Sequence, residues 1–254
     1  YAARLLKIPL VLHDSDAHPG LTNRLLAPFA SAIGTGAPLE YYNYPPEKSR
    51  YVGIPIAETF RVYSEKEKRT FKAKLGFDPM RPLVVVTGGG LGAKRINDGV
   101  VAVRDALLEE ASVYLISGDF QYKELKSRVD EREGWRLDAF VHEGMAQVLA
   151  AADVVVARAG ATTLLELAAL HAPTIVVPNG QLTGGHQLKN AKVYQDALAV
   201  VIVTEDDMAE SPEVLSNKII GLLRAPKIRK GLGENFATFA KPHAAREMAE
   251  MILM

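Results

Sequence analysis

Between residues 81 and 203, short apolar runs alternate with helical patterns, and this alternation constrains the fold more than any other feature of the sequence. The runs are β-branched and apolar on both faces, which is typical of strands buried on both sides of a parallel sheet. The predicted strands are Leu83–Val86, Val113–Ile116, Leu137–Phe140, Val154–Val156, Thr174–Val177 and Val200–Val203. The predicted helices between them are Ile96–Leu108, Tyr122–Glu131, Met145–Ala151, Thr163–Leu170 and Gln187–Gln195. Repeated strand–helix units predict a doubly wound, Rossmann-like α/β domain.

The regions on either side of residues 81–203 lack this alternation of strands and helices. Residues 1–52 contain one apolar run, predicted as strand Ile8–Leu12, a predicted helix Leu21–Ala32 and a Pro/Tyr-rich stretch at 38–46. Beyond residue 203 only helices are predicted, at Pro212–Arg224, Ile228–Ala240 and Ala244–Leu253, because Pro226 and Pro242 punctuate the helical patterns.

Composition excludes several classes of function. Lys+Arg and Asp+Glu balance at 30 each, so no electrostatic footprint indicates nucleic acid as a partner. Cysteine is absent, which excludes a disulfide framework and thiolate metal sites. No apolar run approaches the roughly 20 residues that a membrane helix needs, and no signal peptide is visible.

The first candidate site is a glycine loop that follows the strand Leu83–Val86. It runs Thr87-Gly88-Gly89-Gly90-Leu91-Gly92-Ala93 and leads into a helix. Consecutive glycines let backbone N–H groups approach an anion, and the helix N-terminus adds partial positive charge. A phosphate is therefore the expected ligand. The run also fits the dinucleotide fingerprint G-x-G-x-x-A. NAD is the weaker reading, because the acid expected about 20 residues on is found only at Asp119, 29 residues after Gly90.

A second strand–turn–helix unit carries Arg158 to Glu166. Small residues form the bend, and Thr162 or Thr163 is expected to cap the helix. Glu166 is expected in the first helical turn. A carboxylate there either binds a ribose diol beside a diphosphate on the free N–H groups, or only complements the helix dipole; spacing alone does not decide between the two.

The third candidate is the turn 181–190, which contains Gly184, Gly185, His186 and Gln187. Its glycines permit close backbone approach. Gln187 and Asn190 lie one turn apart, and amides suit sugar hydroxyls because they offer donors and acceptors together. His186 fits equally well as a helix cap or a surface residue.

These three loops together resemble the donor-binding half of the glycosyltransferases of family 28. The resemblance covers nearly the whole chain. It begins at His13-Asp14-Ser15-Asp16 with Pro19-Gly20-Leu21-Thr22-Asn23-Arg24, and it includes Gly53-Ile54-Pro55 and residues 140–145. The block from Arg158 to Glu166, with His186-Gln187 and Asn190-Ala191, is its most specific part.

The resemblance implies a GT-B fold and a binding site for UDP-N-acetylglucosamine. Glu166 would hold the uridine ribose, and the backbone of Val141 would bind uracil. The diphosphate would lie on the glycine loop at Gly90 and on the helix start. The residues implied at that helix start are Ala161, Thr162 and Thr163. Gln187 would contact the N-acetylglucosamine, and Asp16 stands where the family usually has an Asn facing that sugar.

Several positions depart from the family pattern. Gly90 replaces the usual Ser of the glycine loop. In the turn Gly53-Ile54-Pro55, Ile54 replaces an Asn, and Ala57 stands where the family often has an Arg after this turn. Arg61 is a candidate substitute for that Arg.

The resemblance also implies a division of the chain. Residues 1–52 correspond to the tail of the family's acceptor domain, 53–242 to the donor domain, and 243–254 to a helix that returns to the acceptor domain. The chain begins with Tyr1, so we expect that most of the acceptor domain is missing here. Exposed apolar faces of these pieces would favour self-association.

The implied reaction is inverting transfer of N-acetylglucosamine from UDP to lipid I, which forms lipid II in peptidoglycan synthesis at the inner face of the bacterial cell membrane. Backbone N–H groups rather than a metal or another cofactor would stabilise the leaving group. Asp14-Ser15-Asp16 matches the metal motif of another glycosyltransferase class, but it lies within residues 1–52, which correspond to the acceptor domain and not to the donor domain. The sequence does not assign the catalytic base; His13 and Asp16 are candidates.

Two other functions stay open from the sequence. The chain could be a module that binds a UDP-sugar and catalyses nothing unaided. It could also be a UDP-sugar epimerase of similar fold, which would need carboxylates in the sugar pocket.

Overall fold

Nine strands form two parallel sheets in the computed structural model, which describes residues 2–90, 92–180 and 185–253. The smaller sheet has the order β1-β2-β3, with β1 at Val11–Asp14, β2 at Ala32–Thr35 and β3 at Ser49–Tyr51. The larger sheet has the order β6-β5-β4-β7-β8-β9. Its strands are β4 Leu83–Thr87, β5 Ser112–Ile116, β6 Trp135–Asp138, β7 Val154–Ala157, β8 Thr174–Val176 and β9 Val201–Ile202.

Thirteen α-helices lie in the part of the chain that the structure describes. The first six are α1 Ala2–Leu5, α2 Leu21–Leu26, α3 Glu65–Lys74, α4 Lys94–Ala102, α5 Arg104–Glu110 and α6 Asp119–Arg128. The remaining seven are α7 Met145–Ala151, α8 Ala161–Ala169, α9 His186–Asp196, α10 Glu205–Glu210, α11 Glu213–Arg224, α12 Pro226–Ala237 and α13 Ala244–Leu253. Within the described ranges, no helix is long and apolar enough to cross a membrane.

The larger sheet confirms the predicted doubly wound α/β domain. All six predicted strands are present with ends that differ by at most two residues, and the central strands β4, β5 and β7 are completely buried. Apolar clusters cover both faces of this sheet. One cluster also includes Ala37 and Tyr42 of the first 52 residues, whereas the buried strand residues Leu12 and Ile33 of the smaller sheet belong to a separate apolar cluster.

The prediction for residues 1–52 was wrong in detail. The predicted helix Leu21–Ala32 ends at Leu26 and continues only as a 3-10 turn over Ala27–Phe29, because Pro28 has no N–H to continue an α-helix. Strand β1 begins three residues later and ends two residues later than the predicted Ile8–Leu12. Strands β2 and β3 were not predicted, since they are only four and three residues long.

Other helices also differ from the prediction. The predicted helix Ile96–Leu108 is interrupted at Val103, which lies between α4 and α5. Helices α3 and α10 were missed because they are strongly polar. Both begin with a capping box, Ser64 with Glu67 and Thr204 with Asp207, and this sequence signal could have revealed them.

Helix α13 returns to the smaller sheet. A side chain at Gly34 of β2 would lie 2.7 Å from the sulfur of Met248, and Arg50 forms a 3.2 Å ion pair with Glu247. Exposed apolar side chains are concentrated in the first 30 residues and in α13: Leu5, Leu6, Ile8, Leu21, Leu25, Ile252 and Leu253. The boundaries at 52/53 and 242/243 and the self-association stay predictions.

Candidate functional site

The crevice of the larger sheet lies between β4 and β7. These strands are neighbours, yet the chain leaves β4 toward β5 and β6 on one side and reaches β8 and β9 on the other. The loops after β4 and β7 therefore diverge at a topological switch point, where open α/β sheets bind ligands. Both loops were singled out in the sequence.

Glycine is required at two positions of the loop after β4. A Cβ at Gly88 would lie 2.4 Å from the backbone nitrogen of Ala93, and one at Gly92 would lie 2.2 Å from the carbonyl oxygen of Ser117. Gly92 also has a positive φ of 75°. Gly90 is exposed, and a Cβ there would meet nothing within 4 Å. Leu91 lies outside the described residues.

The helix after β7 begins without a side-chain cap. The N-cap is Gly160, and α8 starts at Ala161, so the prediction that Thr162 or Thr163 caps the helix was wrong: both threonines lie inside the first turn. Among the described residues, the backbone N–H groups of Ala161, Thr162 and Thr163 have no acceptor. Three free donors and the positive end of the helix dipole make this end of α8 attractive to an anion.

Glu166 lies in the second turn of α8, not in the first turn as predicted, because the helix starts earlier than the sequence indicated. Its spacing from Thr162 and Thr163 places all three on one helix face. Burial raises the pKa of the Glu166 carboxyl from its ordinary value of 4.5 to about 7. No described residue offers this carboxylate a hydrogen bond or an ion pair, so it carries a desolvation cost without internal compensation.

Asn190 of α9 joins the candidate site to the smaller sheet. Its Nδ2 donates to Asp16 Oδ1 at 2.8 Å and to the Ala159 carbonyl oxygen at 3.1 Å. Its Oδ1 accepts from the backbone N–H of Ala17 at 2.8 Å. Asp16 is thus fixed beside the loop that leads into α8.

The described part of the turn 181–190 begins at Gly185, which has a φ of 62° and caps α9; Gln181, Leu182, Thr183 and Gly184 lie outside the described residues. Gln187 Oε1 accepts a 2.9 Å hydrogen bond from the Asn179 N–H. His186 is the first residue of α9, and its ring lies 5.5 Å from that of His18.

The loop after β6 holds Val141 half-buried against the core. Its backbone N–H and C=O have no partner among the described residues. The neighbouring ring of Phe140 is 41% exposed and lies 5.1 Å from the ring of His142. An exposed aromatic ring next to backbone groups that have no partner among the described residues suits a planar heterocycle, which can stack on the ring and bond to the backbone.

Other candidates from the sequence are engaged elsewhere. His13 Nε2 donates to the Gly53 carbonyl oxygen at 2.8 Å, and Ser15 Oγ lies 3.3 Å from its Nδ1. Arg61 pairs with Glu67 at 3.1 Å. Asp14 is buried and accepts a 2.6 Å hydrogen bond from the Tyr44 hydroxyl. Asp119 is the first residue of α6.

Comparison with known proteins identifies the family. The model of the glycosyltransferase family 28 C-terminal domain matches residues 83–248. The UDP-N-acetylglucosamine–N-acetylmuramyl-(pentapeptide) pyrophosphoryl-undecaprenol N-acetylglucosamine transferase of Caldanaerobacter subterraneus subsp. tengcongensis is 31% identical over 258 residues, covering 99% of this chain and 69% of that protein.

Solved structures agree with this match. The crystal structure of Acinetobacter baumannii MurG superimposes with a TM-score of 0.78 and 25% identity over 99% of this chain and 68% of that one. Anabaena Alr3699/HepE in complex with UDP-glucose has a TM-score of 0.64, 16% identity, and coverage of 99% and 74%, which shows the shared fold. The chain therefore belongs to glycosyltransferase family 28, among the MurG proteins, and has the GT-B fold of these enzymes.

Proposed function

We propose that this chain provides the donor site of an inverting transferase that moves N-acetylglucosamine from UDP to lipid I, forming lipid II at the inner face of the bacterial cell membrane. The name of the Caldanaerobacter relative supports both the sugar and the acceptor. The UDP-glucose complex of a protein with the same fold supports a nucleotide-sugar donor.

The proposed roles follow the geometry of the crevice. Glu166 binds the ribose hydroxyls, because a half-buried carboxylate without an internal partner gains most from two hydroxyl donors. The free N–H groups of α8 and the glycine loop at Gly90 bind the diphosphate. Val141 binds uracil through its backbone, while Gln187 and Asp16 face the sugar.

The chemistry needs these groups to stabilise a leaving group. An acceptor hydroxyl oxygen attacks the anomeric carbon from the side opposite the diphosphate, the carbon–oxygen bond to UDP breaks, and the hydroxyl proton passes to a base. Charge then grows on the β-phosphate oxygen, where backbone N–H groups at the positive end of α8 stabilise it most. The base is not assigned to a residue of this chain, since the ring nitrogens of His13 are both engaged.

One observation carries the proposal: a half-buried carboxylate, Glu166, without a partner among the described residues, lies on the same helix face as an uncapped helix N-terminus at the switch point. Each feature destabilises the ligand-free chain. A ligand that combines a diol with a diphosphate compensates both at once.

Calorimetric titration with UDP-N-acetylglucosamine tests this function. We expect saturable binding, and an affinity lower by about tenfold or more for Glu166→Gln, because charge-assisted hydrogen bonds are worth roughly 1.5–3 kcal/mol. Glu109→Gln, an exposed carboxylate at the opposite edge of the sheet, is the matched control and should bind like the original chain. No heat at millimolar ligand would refute the donor site.

Activity is measured separately with lipid I and labelled donor. Formation of disaccharide product supports the transferase. Donor binding without transfer supports a binding module, and conversion of the donor to an epimer without any acceptor would contradict the transferase.

A further inference from the structure

Glu205 is a buried carboxylate that the proposed donor site does not use directly. It is the first residue of α10, and its side chain is 7% exposed. It accepts a 2.5 Å hydrogen bond from Arg158 Nη2 and a 3.0 Å hydrogen bond from Arg95 Nη1. Its own helix does not need it as a cap, because Thr204 and Asp207 already form a complete capping box. Its carboxylate oxygens are instead both engaged by the two arginines.

The two arginines belong to the two loops that diverge at the switch point. Arg95 is the second residue of α4, directly after the glycine loop. Arg158 follows β7 and precedes Gly160, the N-cap of α8, by two residues. Arg158 Nη1 also donates to the carbonyl oxygen of Val177 at 3.1 Å, just beyond β8. One carboxylate thus connects the chain segments that follow β4, β7, β8 and β9.

Arg158 is itself turned away from solvent, with a side chain that is 11% exposed. The Arg95 side chain is 46% exposed, so it loses less hydration in the same contact. A buried ion cluster of this kind contributes little net stability compared with apolar residues of the same size, because desolvation offsets the attraction. What it does provide is a fixed geometry, since the planar guanidinium of Arg158 has two directional contacts at once.

We propose that Glu205 is a positioning residue for the donor diphosphate: through Arg158 and Arg95 it holds the start of α8 and the glycine loop at the separation that the diphosphate requires. This inference rests on the proposed function. Glu205 does not contact the ligand, and it acts by limiting how far the two phosphate-binding segments move apart.

An electrostatic role and a positioning role of Glu205 predict opposite effects of the same substitution on donor affinity, so the proposal can be tested. Glu205→Gln keeps the size of the side chain but removes one negative charge near the anion site. If the cluster acted only through its electrostatic field, this variant would bind an anionic donor more tightly. If Glu205 acts through position, the variant binds more weakly, because Gln can accept from only one arginine and its amide N–H₂ repels the other.

The experiment measures UDP-N-acetylglucosamine affinity by calorimetry and Tm by circular dichroism for Glu205→Gln, Arg158→Lys and the double variant. Each single variant should lose about tenfold in affinity, equivalent to one charge-assisted hydrogen bond to the diphosphate. Arg158→Lys keeps the charge, so its loss reports geometry alone. The double variant should lose less affinity than the sum of the two single losses, because both changes break the same contact between Arg158 and Glu205.

The matched control is Asp153→Asn, at the opposite edge of the same sheet. Asp153 Oδ2 accepts from Lys72 Nζ at 2.6 Å and from the Leu83 N–H at 2.9 Å, so this change also breaks an ion pair of a largely buried cation. It should lower Tm and leave donor affinity within about twofold.

The possible failures are distinguishable. If the unmodified chain does not bind the donor, the proposed function is wrong. If the unmodified chain binds and Glu205→Gln binds equally or more tightly, only the positioning role is overturned. Additive losses in the double variant would also overturn it, and if Glu205→Gln does not fold, Arg158→Lys decides alone.

Discussion

The side-chain amide of Asn190 donates a 2.8 Å hydrogen bond to the carboxylate of Asp16, which lies 174 positions earlier in the chain. The same side chain binds the backbone of Ala17 and Ala159. Asn190 is 3% exposed, so these hydrogen bonds are shielded from water. A single amide therefore links the segment after β1 in the smaller sheet to the loop that leads into α8.

Asn190→Ala tests this link. The variant leaves the N–H of Ala17 and the carbonyl of Ala159 without their partner, and we expect the free energy of unfolding to fall by about 2–3 kcal/mol. Urea denaturation measures the change. Lys192→Ala on the same helix removes an exposed ion pair with Asp196 and should cost less than about 0.5 kcal/mol. Equal stabilities of the two variants would contradict the role of Asn190.

Glu166→Gln should stabilise the ligand-free chain while it weakens donor binding. The folded pKa is about 7 and the ordinary value is 4.5, so folding disfavours the ionised form. The resulting loss of stability is absent below pH 4.5, grows as the pH rises toward 7, and is complete above it. Since the carboxylate is partly solvated, we expect a gain of only about 1 kcal/mol at pH 8.

Chemical denaturation at two pH values measures this effect. At pH 8 the variant should be the more stable protein, and near pH 4 the two proteins should be equally stable, because Glu166 is then protonated in both states. A difference that does not change with pH would show that the carboxylate is not desolvated.

Donor affinity should depend on pH through the same group. Only the ionised carboxylate accepts two ribose hydroxyls, so affinity should be constant above the Glu166 pKa of about 7, fall as the pH drops below it, and level off near the affinity of Glu166→Gln. UDP-N-acetylglucosamine suits the measurement because its diphosphate diester does not titrate in this range. Glu166→Gln should show a flat profile, and a slope that persists in the variant would assign the titration to another group.

A substitution in the glycine loop is expected to strengthen donor binding. Gly90→Ser introduces a side chain into open space and adds a hydroxyl donor beside the proposed diphosphate, so affinity should rise by a few fold, about 0.5–1.5 kcal/mol, with Tm unchanged. Gly88→Ser is the control. Its Cβ would lie 2.4 Å from the nitrogen of Ala93, so this variant should lose stability. A stable Gly88→Ser chain would contradict the described loop.

The sequence patterns were informative where local periodicity decides structure. Strands β4 and β7 and helices α7 and α13 were predicted closely, because each is a regular apolar pattern with clear ends. Strand β2 was missed because four residues that include Gly34 show no usable periodicity. The start of α8 was misplaced because Thr162 and Thr163 are good capping residues, yet Gly160 occupies the cap.

For the candidate site, the sequence predicted where the loops lie but not which residues contact one another. Its loops could be located because glycines and small residues follow the strand ends, whereas its internal contacts could not. Arg158 and Glu205 are 47 positions apart, and Asn190 and Ala159 are 31 positions apart. Such pairs depend on how β7, β8 and β9 are ordered in the sheet, which composition and spacing do not encode. The desolvation of Glu166 is likewise a consequence of tertiary packing.

The proposal that UDP binds at the start of α8 is tested most directly by following backbone amides in ¹⁵N–¹H spectra during titration with UDP. We predict that Ala161, Thr162 and Thr163 show the largest shifts, together with Val141. The amides of Lys68 and Arg69, which line a cavity of about 480 Å³ at the opposite edge of the sheet, should not move. Saturating shifts confined to that cavity, or no shift at the start of α8 at saturating UDP, would contradict the proposed site.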